Sequence, residues 1–176
     1  KYAFVEDGKM LYGWVNKDDA TLAMDDSDWE NATYYMGSWE DGAMKTGWQK
    51  ITVEDNDNDD EEKDFWFYFK SNGKRAEGEK ITYKGKTYYF DSDGIMLTGW
   101  VNKGEGTANV NEASGYIPGQ TFYCDETGAR VEGAWVKDVA PGVDDDDADA
   151  DEYWYYLKSS GKVATGKQNN VKGQSY

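Results

Sequence analysis

A pair of glycines five positions apart recurs six times along this chain of 176 residues. The six pairs are Gly8 and Gly13, Gly42 and Gly47, Gly73 and Gly78, Gly94 and Gly99, Gly128 and Gly133, and Gly161 and Gly166. Aromatic residues lie a few positions before every first glycine. A tryptophan follows the second glycine in four of the six copies, at Trp14, Trp48, Trp100 and Trp135. Because fixed spacing is the signature of repeat architectures, the chain is predicted to be an array of small similar units.

A longer period of 86 to 88 residues is superimposed on the short one. "GKMLYGWVNK" at 8–17 matches "GIMLTGWVNK" at 94–103, and "FWFYFKSNGKRAEG" at 65–78 matches "YWYYLKSSGKVATG" at 153–166. These matches predict one repeat array over residues 1–176, made of two three-hairpin super-repeats. The super-repeats span about 1–86 and about 87–174, and both ends of the sequence fall in the middle of a repeat.

Each copy carries the local signals of a β-hairpin. "TYYF" at 87–90 and "WYYL" at 154–157 are aromatic segments of high strand propensity. Turn sequences such as "DSDG" and "KSNG" follow them, and "IMLTG" is predicted to be a return strand. A second turn is predicted at Lys84-Gly85. A lone hairpin is marginally stable in water, so the predicted fold class is all-β, a solenoid of hairpins that stack and bury their rings on one another.

Composition excludes several functions. The formal net charge of −16, from 35 acidic and 19 basic residues, disfavours nucleic acid and anionic bilayers as partners. Because no stretch approaches the ~20 apolar residues that span a bilayer, membrane insertion is not expected. The single cysteine, Cys124, cannot form an internal disulfide and is interpreted as a small packing residue.

At these motifs the sequence resembles the choline-binding and glucan-binding class of cell-wall-binding repeats. The resemblance rests on "TGW" at 46–48 and 98–100, "WYYLKSSGKVATG" at 154–166 and "YYFDSDGIMLTGW" at 88–100. It implies a non-catalytic module that attaches a secreted bacterial protein to the cell surface. The implied partner is choline on teichoic acid, or a polysaccharide such as a glucan.

The resemblance also implies aromatic cages for the ligand. Carried over to this sequence, one cage comprises Trp48, Trp66 and Tyr88 or Tyr89, and the other comprises Trp135, Trp154 and Tyr176. Trp14 and Trp100 occupy the same place in two further copies. A desolvated quaternary ammonium on ring faces gains ~2 kcal/mol or more from cation–π attraction. The alternative is that every one of these rings belongs to the core between repeats.

Acidic runs occupy equivalent places in the two halves, at 54–64 and 144–152. Their alternate aspartates offer oxygen ligands for a weak calcium site: Asp55, Asp57, Asp59, Asp145, Asp147 and Asp149. An EF-hand is excluded, because Asp60 stands where the sharp turn needs glycine and Trp66 where a bidentate glutamate belongs. The runs are otherwise interpreted as solvated loops or as docking surfaces for a basic partner. Trp29, within "DDSDWE", is interpreted as a loop anchor.

No catalytic constellation is evident, because histidine is absent and the acids fall mainly in turns and loops. The sequence therefore predicts a protein that is not an enzyme and holds no cofactor apart from a weakly bound calcium ion. The leading hypothesis is the binding module. The alternative is a structural spacer, or a protein-interaction solenoid whose long inserts bind a partner such as a host factor.

Overall fold

The computed structural model describes residues 1–16, 26–55, 61–104 and 109–168. Within this part of the chain the protein is all-β, as predicted, apart from one 3-10 helix at Asp26–Asn31. No helix in these ranges is long and apolar enough to cross a membrane. The strands are β1 (Trp14–Val15), β2 (Tyr34–Tyr35), β3 (Gly47–Asp55), β4 (Glu61–Phe69), β5 (Lys80–Tyr83), β6 (Lys86–Tyr89), β7 (Gly99–Lys103), β8 (Val110–Glu112), β9 (Thr121–Cys124), β10 (Ala134–Val139) and β11 (Glu152–Leu157).

The chain divides into two compact units. The first comprises Lys1–Gly78 with Phe90–Met96, and the second comprises Glu79–Tyr89 with Leu97–Tyr176. The first unit contains the antiparallel pairs β1–β2 and β3–β4. The second contains the pairs β5–β6 and β10–β11, and a three-stranded sheet in the order β8–β7–β9. The turn between β5 and β6 lies at Lys84-Gly85, where the sequence predicts it.

Strand pairing differs from the predicted hairpins in one respect. The long ladders join the strand that begins at the second glycine to the next aromatic strand, as in β3 with β4. The segment after each turn was expected to be a return strand, and that expectation is wrong. It makes a single bridge instead, in five copies: Phe4 with Met10, Phe69 with Arg75, Phe90 with Met96, Cys124 with Arg130, and Leu157 with Val163.

The physical reason is that successive backbone N–H groups of the return segment donate to different copies of the repeat. The N–H of Ala76 bonds back to the carbonyl of Tyr68 in its own copy. The N–H of the preceding residue, Arg75, bonds to the carbonyl of Thr33 in the copy before. The same link to an earlier copy recurs from Met44 to Lys1, from Met96 to Trp66, and from Arg130 to Thr87. The return segment therefore divides its backbone hydrogen bonds between its own copy and the copy before. It cannot form a longer ladder with either of them.

The first glycine of a pair is required at this junction. Gly94 has a φ of +81°, and a Cβ there would lie 2.6 Å from Cδ of Arg75 and 2.9 Å from the carbonyl oxygen of Ala76. The second glycine, Gly99, also has a positive φ, but a Cβ there would meet nothing within 4 Å. The two glycines thus satisfy different requirements, one of backbone conformation with close packing and one of conformation alone.

The core of the first unit forms around Trp14. The rings of Trp29 and Phe67 lie against it, with ring centroids 6.0 Å and 5.1 Å away. Trp29 is 2% exposed and its indole N–H donates to the carbonyl of Glu54 at 2.9 Å, which confirms its role as a loop anchor. The guanidinium of the buried Arg75 lies over both tryptophan rings and donates to the carbonyls of Trp29 and Glu30.

The second unit has two smaller cores. In one, the fully buried Tyr89 stacks on Phe122 beside Val101 and Cys124. In the other, Trp100 packs with Leu157 and Ala113. Burial raises the pKa of the Cys124 thiol to about 12, so the thiol stays protonated. This is the behaviour expected of a packing residue, and the prediction for Cys124 is confirmed.

Candidate ligand-binding faces

Strand alternation gives the hairpin β3–β4 one face toward the core and one face toward solvent. Ile51, Val53 and Phe67 point to the core and are buried. The opposite face includes five side chains that together are called the first aromatic face, with Thr52 beside them: Trp48, Lys50, Asp64, Trp66 and Tyr68. In the register of the ladder Trp48 lies opposite Tyr68, and Lys50 lies opposite Trp66. Because residues two apart on a strand share a face, this arrangement follows from the pairing.

The rings of the first aromatic face contact one another edge to face. Trp48 lies 6.3 Å from Trp66 and 5.3 Å from Tyr68 between ring centroids, at interplanar angles of 82° and 72°. The buried Phe90 supports Trp48 from beneath at 5.6 Å. Trp66 remains 42% exposed. The result is a supported cluster of rings that offers one open indole face to a ligand.

A charged pair borders these rings. The ammonium of Lys50 lies 3.6 Å from a carboxylate oxygen of Asp64, and the hydroxyl of Thr52 donates to Asp64 at 2.6 Å. The hydrogen bond from Thr52, together with the positive charge of Lys50, lowers the pKa of the Asp64 carboxyl. The face therefore presents a cation, an anion and an indole side by side.

The hairpin β10–β11 repeats the rings and the charged pair of this arrangement, with Glu152 in place of Asp64 and the buried Val139 in place of Thr52. Its solvent face carries what is called the second aromatic face: Trp135, Lys137, Glu152, Trp154 and Tyr156. Trp135 lies opposite Tyr156, with ring centroids 5.2 Å apart, and Lys137 lies opposite Trp154. The Lys137 ammonium pairs with Glu152 at 2.9 Å. Trp154 is 65% exposed, so this face is the more open of the two.

The structure separates the predicted ligand residues into three groups. Trp48 with Trp66, and Trp135 with Trp154, lie on the two aromatic faces. Trp14 and Trp100 are buried among core side chains, as is Tyr89, whose hydroxyl accepts a hydrogen bond from Arg130. Tyr88 lies half-buried on β6 in the second unit, and Tyr176 lies outside the described residues.

The predicted calcium ligands are similarly divided. Asp55 pairs with the ammonium of Lys63 at 2.6 Å, and Asp57 and Asp59 lie outside the described residues. In the second unit Asp145 lies with Asp144 and Asp146, their carboxylates within 4.8 Å of one another and exposed. Asp147 and Asp149 follow in the next turns, where Asp147 accepts the backbone N–H of Asp149.

Sequence reasoning missed Phe90, the two tyrosines and the two charged pairs. A signal for most of them was present, because "WQK" at 48–50 matches "WVK" at 135–137 and "WFY" at 66–68 matches "WYY" at 154–156. Period-two alternation places the outer members of each triplet on one face once the triplets are paired. Their pairing across acidic segments of different length could not be inferred from this pattern.

The sequence of this chain is similar to those of several known proteins. The profile of the cell wall binding repeat matches residues 81–96 and 149–163. Glucosyltransferase-I of Streptococcus downei is 31% identical over 165 residues, covering 81% of this chain and 9% of the relative. A candidate endo-beta-N-acetylglucosaminidase of Streptococcus pneumoniae is 31% identical over 102 residues, covering 57% of this chain and 11% of the relative. The chain thus spans about a tenth of the length of these curated relatives.

A solved structure with the same fold is choline binding protein F of Streptococcus pneumoniae, determined in the presence of a peptidoglycan analogue. The TM-score is 0.54 at 23% sequence identity, and the similarity covers 97% of this chain and 44% of that chain. The matched segments include the whole hairpin turn at 91–94 and the whole of strand β11. Two segments of this chain therefore match the cell wall binding repeat, and the chain shares its fold with a choline binding protein.

Proposed function

We propose that this chain is a non-catalytic module that binds a cell-envelope polysaccharide, a glucan in the first instance, through its two aromatic faces. The observation that carries the proposal is the duplicated set of two tryptophans, a tyrosine, a lysine and an acid on two solvent-facing hairpins. An exposed indole can stack on the apolar face of a pyranose ring. The neighbouring lysine donates hydrogen bonds to hydroxyl groups, and the carboxylate accepts them.

Choline on teichoic acid is the second candidate ligand, favoured by the matched repeat family. Its quaternary ammonium would lie on the open faces of Trp66 and Trp154, where cation–π attraction operates. Asp64 and Glu152 border these rings and add a negative charge near the cation. The two ligands differ in how they use the charged pair, because the ammonium of Lys50 or Lys137 repels choline but can donate to a sugar.

We further propose that the copies stack in sequence order as a solenoid made of two super-repeats. The backbone bonds from four of the return segments to an earlier copy support this arrangement, as do the glycines that contact the preceding return segment. In a solenoid every copy buries rings that it could not bury alone. Repetition of the copies would then repeat the binding face, which raises the avidity for a polymer with many equivalent units.

The proposed setting is the surface of a bacterium, as one part of a longer secreted protein. The glucosyltransferase and the glucosaminidase to which the chain is similar are enzymes roughly ten times longer than the aligned segment. A carboxyl with a raised pKa, Asp91, is explained by burial within its turn, where it accepts the backbone N–H groups of Asp93 and Ile95. That acid stabilises a hairpin turn, so its raised pKa has a structural cause.

The test is a titration followed by tryptophan fluorescence and by retention on immobilised dextran. The double variant Trp66→Ala with Trp154→Ala should lose retention, because stacking on an aromatic ring contributes about 0.5–1.5 kcal/mol per site. The control is Trp39→Ala, which removes a tryptophan that is 68% exposed and lies on neither face. Equal retention of both variants would contradict the proposal.

Choline forms the second arm of this experiment. A fluorescence change with millimolar choline and none with dextran would assign the faces to choline. Lys50→Met with Lys137→Met should separate the ligands further, because it weakens dextran binding and leaves choline binding unchanged or stronger. Silence with both ligands would overturn the proposal and favour a spacer or protein-binding solenoid.

A further inference from the structure

Five of the hairpin turns share one backbone arrangement, at 5–9, 70–74, 91–95, 125–129 and 158–162. In each turn the N–H of the first residue donates to the carbonyl of the fifth, and the N–H of the glycine at the fourth position donates to the carbonyl of the first. These bonds leave the N–H groups of the third and fifth residues for other acceptors. The five turns differ in which acceptor those two groups have.

An aspartate carboxylate accepts both N–H groups in two of the turns. Asp125 accepts the N–H of Thr127 at 2.9 Å and the N–H of Ala129 at 3.1 Å through a single oxygen. Asp91 makes the same pair of bonds within its own turn, each at 2.9 Å. The third and fifth positions of the turn therefore form a two-donor site for an anion, which the chain itself supplies in these copies.

The turn at 158–162 has two lysines and no acid. Lys158 stands at the first position, where two other turns have aspartate, and Lys162 is the fifth residue. Among the described residues the N–H of Ser160 has no acceptor, and the N–H of Lys162 has only the Ser160 hydroxyl, at a long 3.4 Å. No acid occurs anywhere in residues 153–168. Two backbone donors and two ammonium groups therefore meet at this exposed turn.

The remaining two turns satisfy the fifth N–H through the side chain of their third residue. The side-chain oxygen of Asn72 accepts it at 3.0 Å in the turn at 70–74, and the Asp7 carboxylate accepts it at 3.3 Å in the turn at 5–9. A serine side chain is one bond shorter and reaches this N–H less well. Of the five turns, the one at 158–162 is therefore the one that most favours an anion from outside the chain.

This turn adjoins the second aromatic face. The N–H of Gly133 donates to the carbonyl of Lys158 at 3.1 Å, two positions along the ladder from the pair Trp135 and Tyr156. Because alternate residues of a strand share a face, Lys158 lies on the same side as Tyr156 and Trp154, and the glycine opposite it has no side chain to cover it. Lys158 and Trp154 are separated by about 13 Å along the strand. One oligosaccharide can therefore contact both the open indole and the turn.

We propose that the turn at 158–162 binds an anionic substituent, a phosphate or a carboxylate, on the polysaccharide that stacks on Trp154. The anion accepts the N–H groups of Ser160 and Lys162, in the place that aspartate takes in two other turns, and it pairs with the two ammonium groups. Binding here rests on the proposed function, because the second aromatic face holds the polymer. With a formal net charge of −16 the protein as a whole repels anions, so the preference has to be local.

The first experiment compares three polymers of equal length by calorimetric titration of the whole chain: dextran, dextran phosphate and carboxymethyl dextran. We expect an anionic form to bind at least about fivefold more tightly than dextran, since charge pairs are gained at the turn. Tighter binding of only one anionic form supports the proposal and identifies the substituent. Equal binding of all three polymers overturns it and leaves the polysaccharide function intact, whereas binding of none overturns both.

The second experiment removes the donors at constant charge. Ser160→Asn should reduce the preference for the anionic polymer to less than about twofold, because the new side-chain oxygen accepts the Lys162 N–H as Asn72 does in its own turn. Binding of neutral dextran should not change. The control is Ser159→Asn, which makes the same substitution at the neighbouring exposed residue and should keep the full preference. Equal losses from the two variants would contradict the two-donor site.

The third experiment tests whether the positive charge acts locally. Lys162→Gln should lower the preference, whereas Lys86→Gln, the same change of charge on β6 in the same unit, should leave it unchanged. Equal losses would show a diffuse effect of charge and overturn the proposal. In nuclear magnetic resonance spectra the amide of Ser160 should shift on addition of the anionic polymer, and that of Thr127, which already bonds to Asp125, should not. An unmoved Ser160 amide would also overturn the proposal.

Discussion

The tripeptide Thr-Gly-Trp occurs at 46–48 and at 98–100, and its two tryptophans have different environments. Trp100 is 7% exposed, its indole N–H donates to the carbonyl of Val139 at 2.8 Å, and Tyr123 and Tyr155 contact it edge to face. Trp48 is half-buried beside the exposed Trp66 and belongs to a candidate binding face. Identical local sequence thus gives a core residue in one unit and a surface residue in the other.

The difference arises from the side chains that reach each ring. The hairpin β10–β11 covers Trp100 with Tyr155, Leu157 and the Val139 carbonyl, in addition to the contacts that Trp100 makes with Tyr123 and Ala113. Trp48 lies on the opposite, solvent-facing side of its own hairpin. A tryptophan in this motif is therefore structural or available to a ligand according to its neighbours, which the motif itself does not encode.

The largest expected effect comes from truncating the buried ring. Trp100→Ala should lower the free energy of unfolding by about 3–5 kcal/mol, because it removes a ring with two aromatic contacts and leaves the Val139 carbonyl without this donor. Trp48→Ala should cost about half as much or less, because its ring is partly solvated in the native state. Urea unfolding followed by circular dichroism measures both losses of stability. Equal losses would contradict the assignment of Trp100 to the core and Trp48 to the surface.

Two arginines at equivalent positions provide a second comparison between a more buried and a less buried side chain. Arg75 and Arg130 occupy the same place in "GKRAEG" at 73–78 and "GARVEG" at 128–133. The Arg75 side chain is fully buried and binds two carbonyls of the 3-10 helix, whereas that of Arg130 is 15% exposed and binds the Tyr89 hydroxyl. Arg75→Met should cost about 2–4 kcal/mol, because the buried carbonyl of Trp29 and the part-buried carbonyl of Glu30 lose this donor, and Arg130→Met about 1 kcal/mol.

Thermal unfolding of these two variants provides the measurement. Because Arg130 is less buried than Arg75, the Arg130 variant should lose less stability than the Arg75 variant. An Arg130 variant less stable than the Arg75 variant would show that burial does not govern the contribution of this arginine.

Alanine substitutions at the two glycines before Trp100 should differ in their loss of stability by less than the two arginine variants do. Gly94→Ala strains a positive φ and drives a methyl group into Arg75 and the Ala76 carbonyl, for a loss of about 2 kcal/mol. Gly99→Ala imposes the strain alone, for about 1 kcal/mol. Chemical denaturation should resolve this difference, and a larger loss at Gly99 would contradict the assigned role of the first glycine.

Calcium should have the smallest effect and should act on one acidic segment only. The carboxylates of Asp144, Asp145 and Asp146 converge, whereas Asp55 is already paired with Lys63. At a calcium concentration equal to the dissociation constant, stabilisation would be about 0.4 kcal/mol. Asp145→Asn should abolish the increase in melting temperature and Asp55→Asn should not. A melting temperature that ignores both chelator and millimolar calcium would exclude the site.

Much of the fold could be predicted from the sequence, because its causes are local. The aromatic segments, the Asx-Gly turns and the Lys84-Gly85 turn all depend on residues within a few positions of one another. The return segment was misjudged, because the N–H of Arg75 bonds to Thr33, which lies more than forty residues earlier in the chain. No local propensity indicates such a partner.

The candidate site shows the same division. Trp48, Trp66, Trp135 and Trp154 were identified from sequence, because the repeat motif contains them. Phe90 and the charged pairs were not, because they meet the tryptophans only through strand register and through packing between copies.

By itself the sequence determined that this chain would form short aromatic hairpins in repeated copies, because glycine spacing, turn chemistry and strand propensity act within a few residues. Only the tertiary structure decided which rings are covered and which remain open to a ligand. The physical reason is that the burial of a side chain depends on what packs against it, and here those neighbours come from other copies of the repeat.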